Sequence, residues 1–347
     1  MRHFKFSFLV TFIGLGFAAW WGFSRGGASG ALQAIGIAAI LSIMEISLSF
    51  DNAIVNASIL KNWNAFWQRI FLTLGMLIAV FGMRLLFPLL IVAFAADIGL
   101  AEVWSMGLKN PEEYARHLTD HHAEVAVFGG MFLLLVFLNF LLDEEKDLHW
   151  LGGIEEKIAA FGKIASIAVL IAIGTLLASL SMVDSSKQLA VLISGLWGIL
   201  TYVIVDVVSS VLEMEEEDPK VGDLIKRGGV GGFLYLEVLD ASFSFDGVIG
   251  ALAITKDIVI IMVGLSIGAM FVRSMTVYLV RQGTLDKFVF LEHGAHYAIG
   301  ILAVIMLASM KFHIPEIFTG LIGVAFILAA LWSSVIYKRN QALNQKL

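Results

Sequence analysis

Between residues 7 and 336 this chain is one apolar run after another, each long enough to cross a bilayer, and two of the runs carry acids that lipid does not tolerate. Of its 347 residues, 59% are hydrophobic and 15% are charged, where a soluble domain has about 25% charged. The mean hydropathy is +0.87. Such a pattern implies an all-α polytopic membrane protein, because a transmembrane barrel would show short alternating segments. Ten spans are expected, near 7–23, 32–60, 70–95, 124–142, 164–182, 188–212, 232–254, 258–280, 294–310 and 316–336. The basic, apolar N-terminus resembles a signal peptide, but bulky "WWGFSRGG" offers no small-residue cleavage site, so it reads as a retained first span.

The acids recur in a pattern. "MEISLSFDNAIVNASIL" (44–60) and "LEVLDASFSFDGVIGALAIT" (236–255) align with Asp51 on Asp246. Ser47, Ser49, Phe50 and Ile54 then meet Ser242, Ser244, Phe245 and Ile249, and Glu45 meets Asp240. "GMLIAVFGMR" (75–84) and "GLSIGAMFVR" (264–273) follow the two motifs and end on Arg84 and Arg273. The motif spans are five apart and so run in opposite directions. An inverted-topology repeat is expected, about 32–142 and 230–336, within a single transmembrane domain covering 1–347. A polar outer loop at 97–123 and an acidic cytoplasmic loop at 213–230 interrupt it.

Positive charge sets the orientation. Fifteen Lys and Arg residues fall in segments on the N-terminal side of the membrane and six on the other. Both termini are therefore expected in the cytoplasm of a bacterial-type inner membrane. The net charge of −6 makes nucleic acid an unsuitable partner. Without cysteine, any metal must use oxygen or imidazole ligands.

An ionised side chain at the bilayer centre costs about 2.5–3.5 kcal/mol, so Glu45, Asp51, Glu237, Asp240 and Asp246 unpaired would cost on the order of 12–17 kcal/mol. Arg84 and Arg273 can neutralise two of them. The remainder fits a divalent cation together with protons. Glu237 and Asp240 share a helical face, whereas Asp246 lies about 240° round from Asp240. Convergence of all five acids is therefore expected to need helices broken near each Ser-Phe-Asp, with Asn52 and Gly247 in the irregular backbone.

"EISLSFDN" and "LEVLDASFSFDG" resemble the TerC family of integral membrane proteins, named for tellurium resistance. The resemblance covers roughly 35–95 and 230–310 and leaves 97–123 and 143–163 unexplained. Gly247 stands where that family commonly has Ser. The resemblance implies Mn(II) as an exported substrate, with Glu45, Asp51, Asn52, Glu237, Asp240 and Asp246 as its ligands. Ser49, Ser244, Arg84, Arg273, Asp206 and Glu292 are accessory candidates. No cofactor is expected, and the partners are the divalent ion, protons and membrane lipid. The leading expectation is thus an alternating-access divalent-cation exporter coupled to protons, not an enzyme. Rival readings are a non-transporting membrane organiser in metal or metalloid stress, a Ca(II) or Mg(II) transporter, and an intramembrane aspartyl protease using Asp51 and Asp246. The protease lacks its Gly-x-Gly-Asp signature and leaves three acids without a role.

Overall fold

The structure, a computed structural model, describes residues 4–75, 77–144, 146, 148–164, 166–212, 229–282, 288–312 and 314–344. The expected acidic loop 213–230, with its run 213–218, lies almost wholly outside the described residues, as do the side chains of Phe245 and Asp246. All regular structure among the described residues is helical. Seven helices are long and apolar enough to cross a membrane, or eight if a pair bent by 100° between Gly153–Lys163 and Ile167–Met182 counts as one span.

Helix α1 (Lys5–Leu48) is a hairpin rather than a rod. Gly26 and Gly27 leave helical geometry, and Gly27 takes φ +60°, a conformation open to glycine and strained for other residues. The Ser7 hydroxyl donates to Met270 O at 2.7 Å, and the Ser42 hydroxyl to Gly264 O at 3.0 Å. In a straight helix Ser7 and Ser42 would be about 50 Å apart, while six residues separate Gly264 from Met270, about 9 Å. Only a fold-back lets both touch the same helix. The two arms meet through small residues, with Gly22 against Gly30 and Ala34. Near the bend, the Trp21 indole and Arg25 both reach Asp257. The loop expected at 24–31 is therefore a two-glycine turn.

The motif helix continues as α2 (Phe50–Leu60) after an interruption at Ser49, and α3 (Ala65–Ile70) follows. The third span then winds as a wide π-helix over Phe71–Gly75 and Ile78–Leu86, and it tightens into α4 (Phe87–Ala96). Pro88 sits at this π-to-α change, where its missing N–H is least costly. The segment 97–123 is not an extended polar loop. It forms α5 (Leu100–Lys109) and α6 (Pro111–Asp120), which bury Val103, Tyr114 and Leu118.

Helix α7 (His122–Leu141) is central, burying Met131, Phe132, Leu133 and Leu135 completely. Around it stand α9 (Ile167–Ser179), preceded by the short α8 (Gly153–Ala159), and α10 (Gln188–Leu212). Then come α11 (Val230–Ile254), α12 (Ile258–Gln282), α13 (Leu291–Ser309) and α14 (Glu316–Asn344). Helix α11 holds the second acidic motif and is one unbroken helix. The break expected within 240–247 does not occur. In an apolar setting every lost backbone hydrogen bond is expensive, and a single glycine does not outweigh that cost.

Gly22→Leu drives a side chain into Gly30 and Ala34 and is expected to lower the unfolding free energy in micelles by about 1–3 kcal/mol. Gly16→Leu, with nothing within 4 Å of a Cβ there, should stay within about 0.5 kcal/mol. Detergent-denaturation midpoints of the two variants check this.

Candidate functional site

The two motif helices lie antiparallel. Asn56 Nδ2 donates to Asp240 Oδ1 at 2.8 Å, and a Cβ built on Gly247 would lie 2.9 Å from Glu45 Oε2. Residue numbers thus rise along one helix as they fall along the other. Helix α12 closes the third side, with Gly264 and Gly268 letting α1 approach to Leu41, Ser42 and Glu45.

Two cavities with polar and charged groups in their walls lie in this cluster. The first is lined by Ser49, Asn52, Asn56, Arg84, Asp240, Ser244, Arg273 and Thr276, with Phe71, Gly75 and Phe243 among the apolar walls. The second is lined by Glu45, Ser49, Asp51, His122, Gly247, Ser309 and Thr319. Their linings share Ser49 and Phe243. The first extends toward the C-terminal end of α2, and the second toward the N-terminal end of α7 and the C-terminal end of α13. They are two chambers pointing to opposite ends of the bundle.

Between them sits an ion pair. Arg84 lines the first chamber and Glu45 the second, and the Arg84 Nη2 donates to Glu45 Oε1. Glu45 is 2% exposed and Arg84 8%. The Ser49 hydroxyl donates to the same Glu45 oxygen at 3.0 Å. Local structure explains this. At Ser49 the backbone reaches φ −103°, ψ 18°, interrupting the helix and leaving the Ser49 side chain turned back on Glu45. Arg84 lies in the π-helical stretch, where its Nη1 donates to Ala79 O at 2.6 Å. One of the two expected breaks is therefore present, as an interruption at Ser49.

The other acids with described side chains do not converge. Asp240 accepts from Asn56 and from the Asn52 amide. Asp51 is 7% exposed, accepts from the Asn52 N–H at 2.9 Å, lines the second chamber and abuts Gly323. Glu237 is 5% exposed and neither carboxylate oxygen has a hydrogen-bond partner. One of these oxygens packs on Gly75, with Phe71 and Phe233 alongside. Such a buried carboxyl needs a proton or a cation. Among the described residues no three His, Asp or Glu side chains are grouped to hold a metal. Of the expected five-acid cluster, Asp240 lines the first chamber and Glu45 and Asp51 line the second, while Glu237 lines neither and the Asp246 side chain lies outside the described residues.

Of the accessory candidates, Ser49, Ser244, Arg84 and Arg273 line the first chamber. The Arg273 Nη2 donates to Leu72 O, and its Nε has no partner. Asp206 lies near Tyr202 and Tyr235, and Glu292 lies 4.0 Å from Lys61. Neither is among the lining residues of the chambers. Sequence reasoning missed Asn56, Thr276 and Thr319. Neutral side chains in an apolar run give no charge signal, although Asn52 and Asn56, four apart, do share a helical face.

Apolar helices packed round a charged, hydrogen-bonded interior define this as a helical membrane protein. The chain belongs to the family described as "Protein of unknown function (DUF475)", whose model matches residues 50–341. No curated protein and no solved structure matches it.

Removing one partner of a buried ion pair strands the other. Glu45→Gln is expected to cost about 3–5 kcal/mol of stability. Glu45→Gln with Arg84→Gln should cost less than the two single changes added together, leaving a coupling of at least about 1 kcal/mol in a double-mutant cycle of micellar unfolding.

Proposed function

We propose that this chain carries a divalent metal cation across the membrane, alternating access between the two chambers. The resemblance to the TerC family makes Mn(II) the leading substrate and export the direction. The single observation that carries the reading is that the chambers share Ser49 and Phe243, with a buried ion pair held between them. A solute that reaches one chamber is blocked from the other until that partition rearranges.

Supporting features fit a hard cation. Carboxylate, amide and hydroxyl oxygens line the first chamber through Asp240, Asn52, Asn56, Ser49 and Ser244. Such donors suit Mn(II), Mg(II) or Ca(II) and are poor for soft metals. Glu237, buried without a partner near this chamber, suits a proton carrier that discharges as metal binds. Asp51 and Asp246 belong to the same ligand set, with Asp51 in the second chamber and receiving metal as the partition moves.

The topology follows. Counting both arms of the α1 hairpin, the bent pair and acid-bearing α11 as spans gives ten, arranged as an inverted repeat about the antiparallel motif helices. With both termini cytoplasmic, the first chamber faces the cytoplasm and the second faces outward.

Purified protein in liposomes should give saturable Mn(II) flux. Asp240→Asn and Asp51→Asn should each lower the flux at least tenfold, and collapse of the proton gradient should slow it. Absence of flux from well-folded protein would refute transport and leave the membrane organiser as the better reading.

A further inference from the structure

The first chamber holds more positive charge than a simple cation site should. Two guanidinium groups line it, and a guanidinium keeps its proton at any working pH. Arg84 is answered by Glu45, but its Nε–H has no partner although the residue is 92% buried by its 8% exposure. Arg273 donates to a backbone oxygen, its Nε–H also lacks a partner, and no carboxylate pairs with it among the described residues. A partly buried cation without an ion-pair partner is expensive.

Unmatched acceptors line the same chamber. Asn52 Oδ1 and Asn56 Oδ1 are buried without donors, because each amide turns its nitrogen toward Asp240. The Ser244 hydroxyl, 3% exposed, is unpartnered too. A bare metal ion would satisfy the oxygens and leave the guanidinium N–H groups orphaned. A bare anion would do the reverse. A solute with a negative oxygen group and a positive centre satisfies both.

We propose that Arg84 and Arg273 form a carboxylate subsite in the first chamber, so that its occupant carries a carboxylate together with a positive centre. This rests on the transport reading in taking the first chamber as the substrate chamber. The carboxylate has two sources: a small zwitterion with an ammonium group for the Asp240 side, or a carboxylate that accompanies the metal ion. The planar guanidinium favours carboxylate over spherical anions because paired N–H donors match two oxygens.

Equilibrium dialysis of the full-length purified protein against radiolabelled glycine and acetate, each with and without MnCl₂, tests the subsite. Saturable glycine binding without metal supports it and identifies the zwitterion. Acetate binding only when Mn(II) is present supports it and identifies the metal-borne carboxylate. In either case Arg273→Gln should weaken the probe at least tenfold. Arg273→Lys, which keeps the charge but loses the planar fork, should weaken it severalfold and stands in if the glutamine variant is not monodisperse. No binding of either probe to monodisperse wild type, or binding indifferent to both variants, overturns the proposal. Mn(II) flux without probe binding would refute the subsite alone, and probe binding without flux would refute the metal reading alone.

Discussion

The contact between Glu45 and Arg84 holds the centre of this molecule together. In a low-dielectric interior two opposite charges attract strongly, but only after each has given up water at a cost of several kcal/mol. The pair persists because its remaining hydrogen-bonding capacity is used. Glu45 also takes the Ser49 hydroxyl, and Arg84 also donates to Ala79 O. Both arrangements depend on helix defects: the interruption at Ser49, and the wide π-turns around Arg84. Regular α-helices through both segments would point these side chains elsewhere. The partition between the chambers thus follows from two local departures from helical geometry.

Close helix packing makes the contact geometrically possible. Lipid offers no hydrophobic drive between helices, so small residues that let backbones approach do the work. Gly264 and Gly268 bring α12 against α1, Gly247 brings α11 toward Glu45, and Gly75 admits the Glu237 side chain. The α1 hairpin serves the same end. Its first arm lies along α12 through Ser7 and its second through Ser42, so the motif helix is clamped before it reaches Ser49.

Much of this was legible in the sequence, and the rest failed for identifiable reasons. Apolar length announced the helices, and the duplicated Ser-Phe-Asp announced the paired, antiparallel motif. The scarcity of intramembrane cations made Arg84 and Arg273 equal candidates to neutralise an acid. The symmetry misled in the second half. Ser49 interrupts its helix while Ser244, its counterpart, lies in continuous α11. A repeat in sequence does not force a repeat in conformation, since neighbours decide whether a strained turn is compensated. Arg273 likewise takes a backbone carbonyl where its counterpart Arg84 takes a carboxylate. Asn56 went unnoticed because its importance lies in facing Asp240, a contact between residues 184 positions apart.

On the transport reading the two chambers open to opposite sides of the membrane. The chain contains no cysteine, so single introduced thiols report without background. Thr276→Cys places one in the first chamber and Thr319→Cys one in the second. Both should be labelled in oriented membrane vesicles by a membrane-impermeant thiol reagent. The Thr276→Cys thiol is expected to react from one face only and the Thr319→Cys thiol from the other. Reaction of both from the same face would show one continuous pocket and contradict the partition.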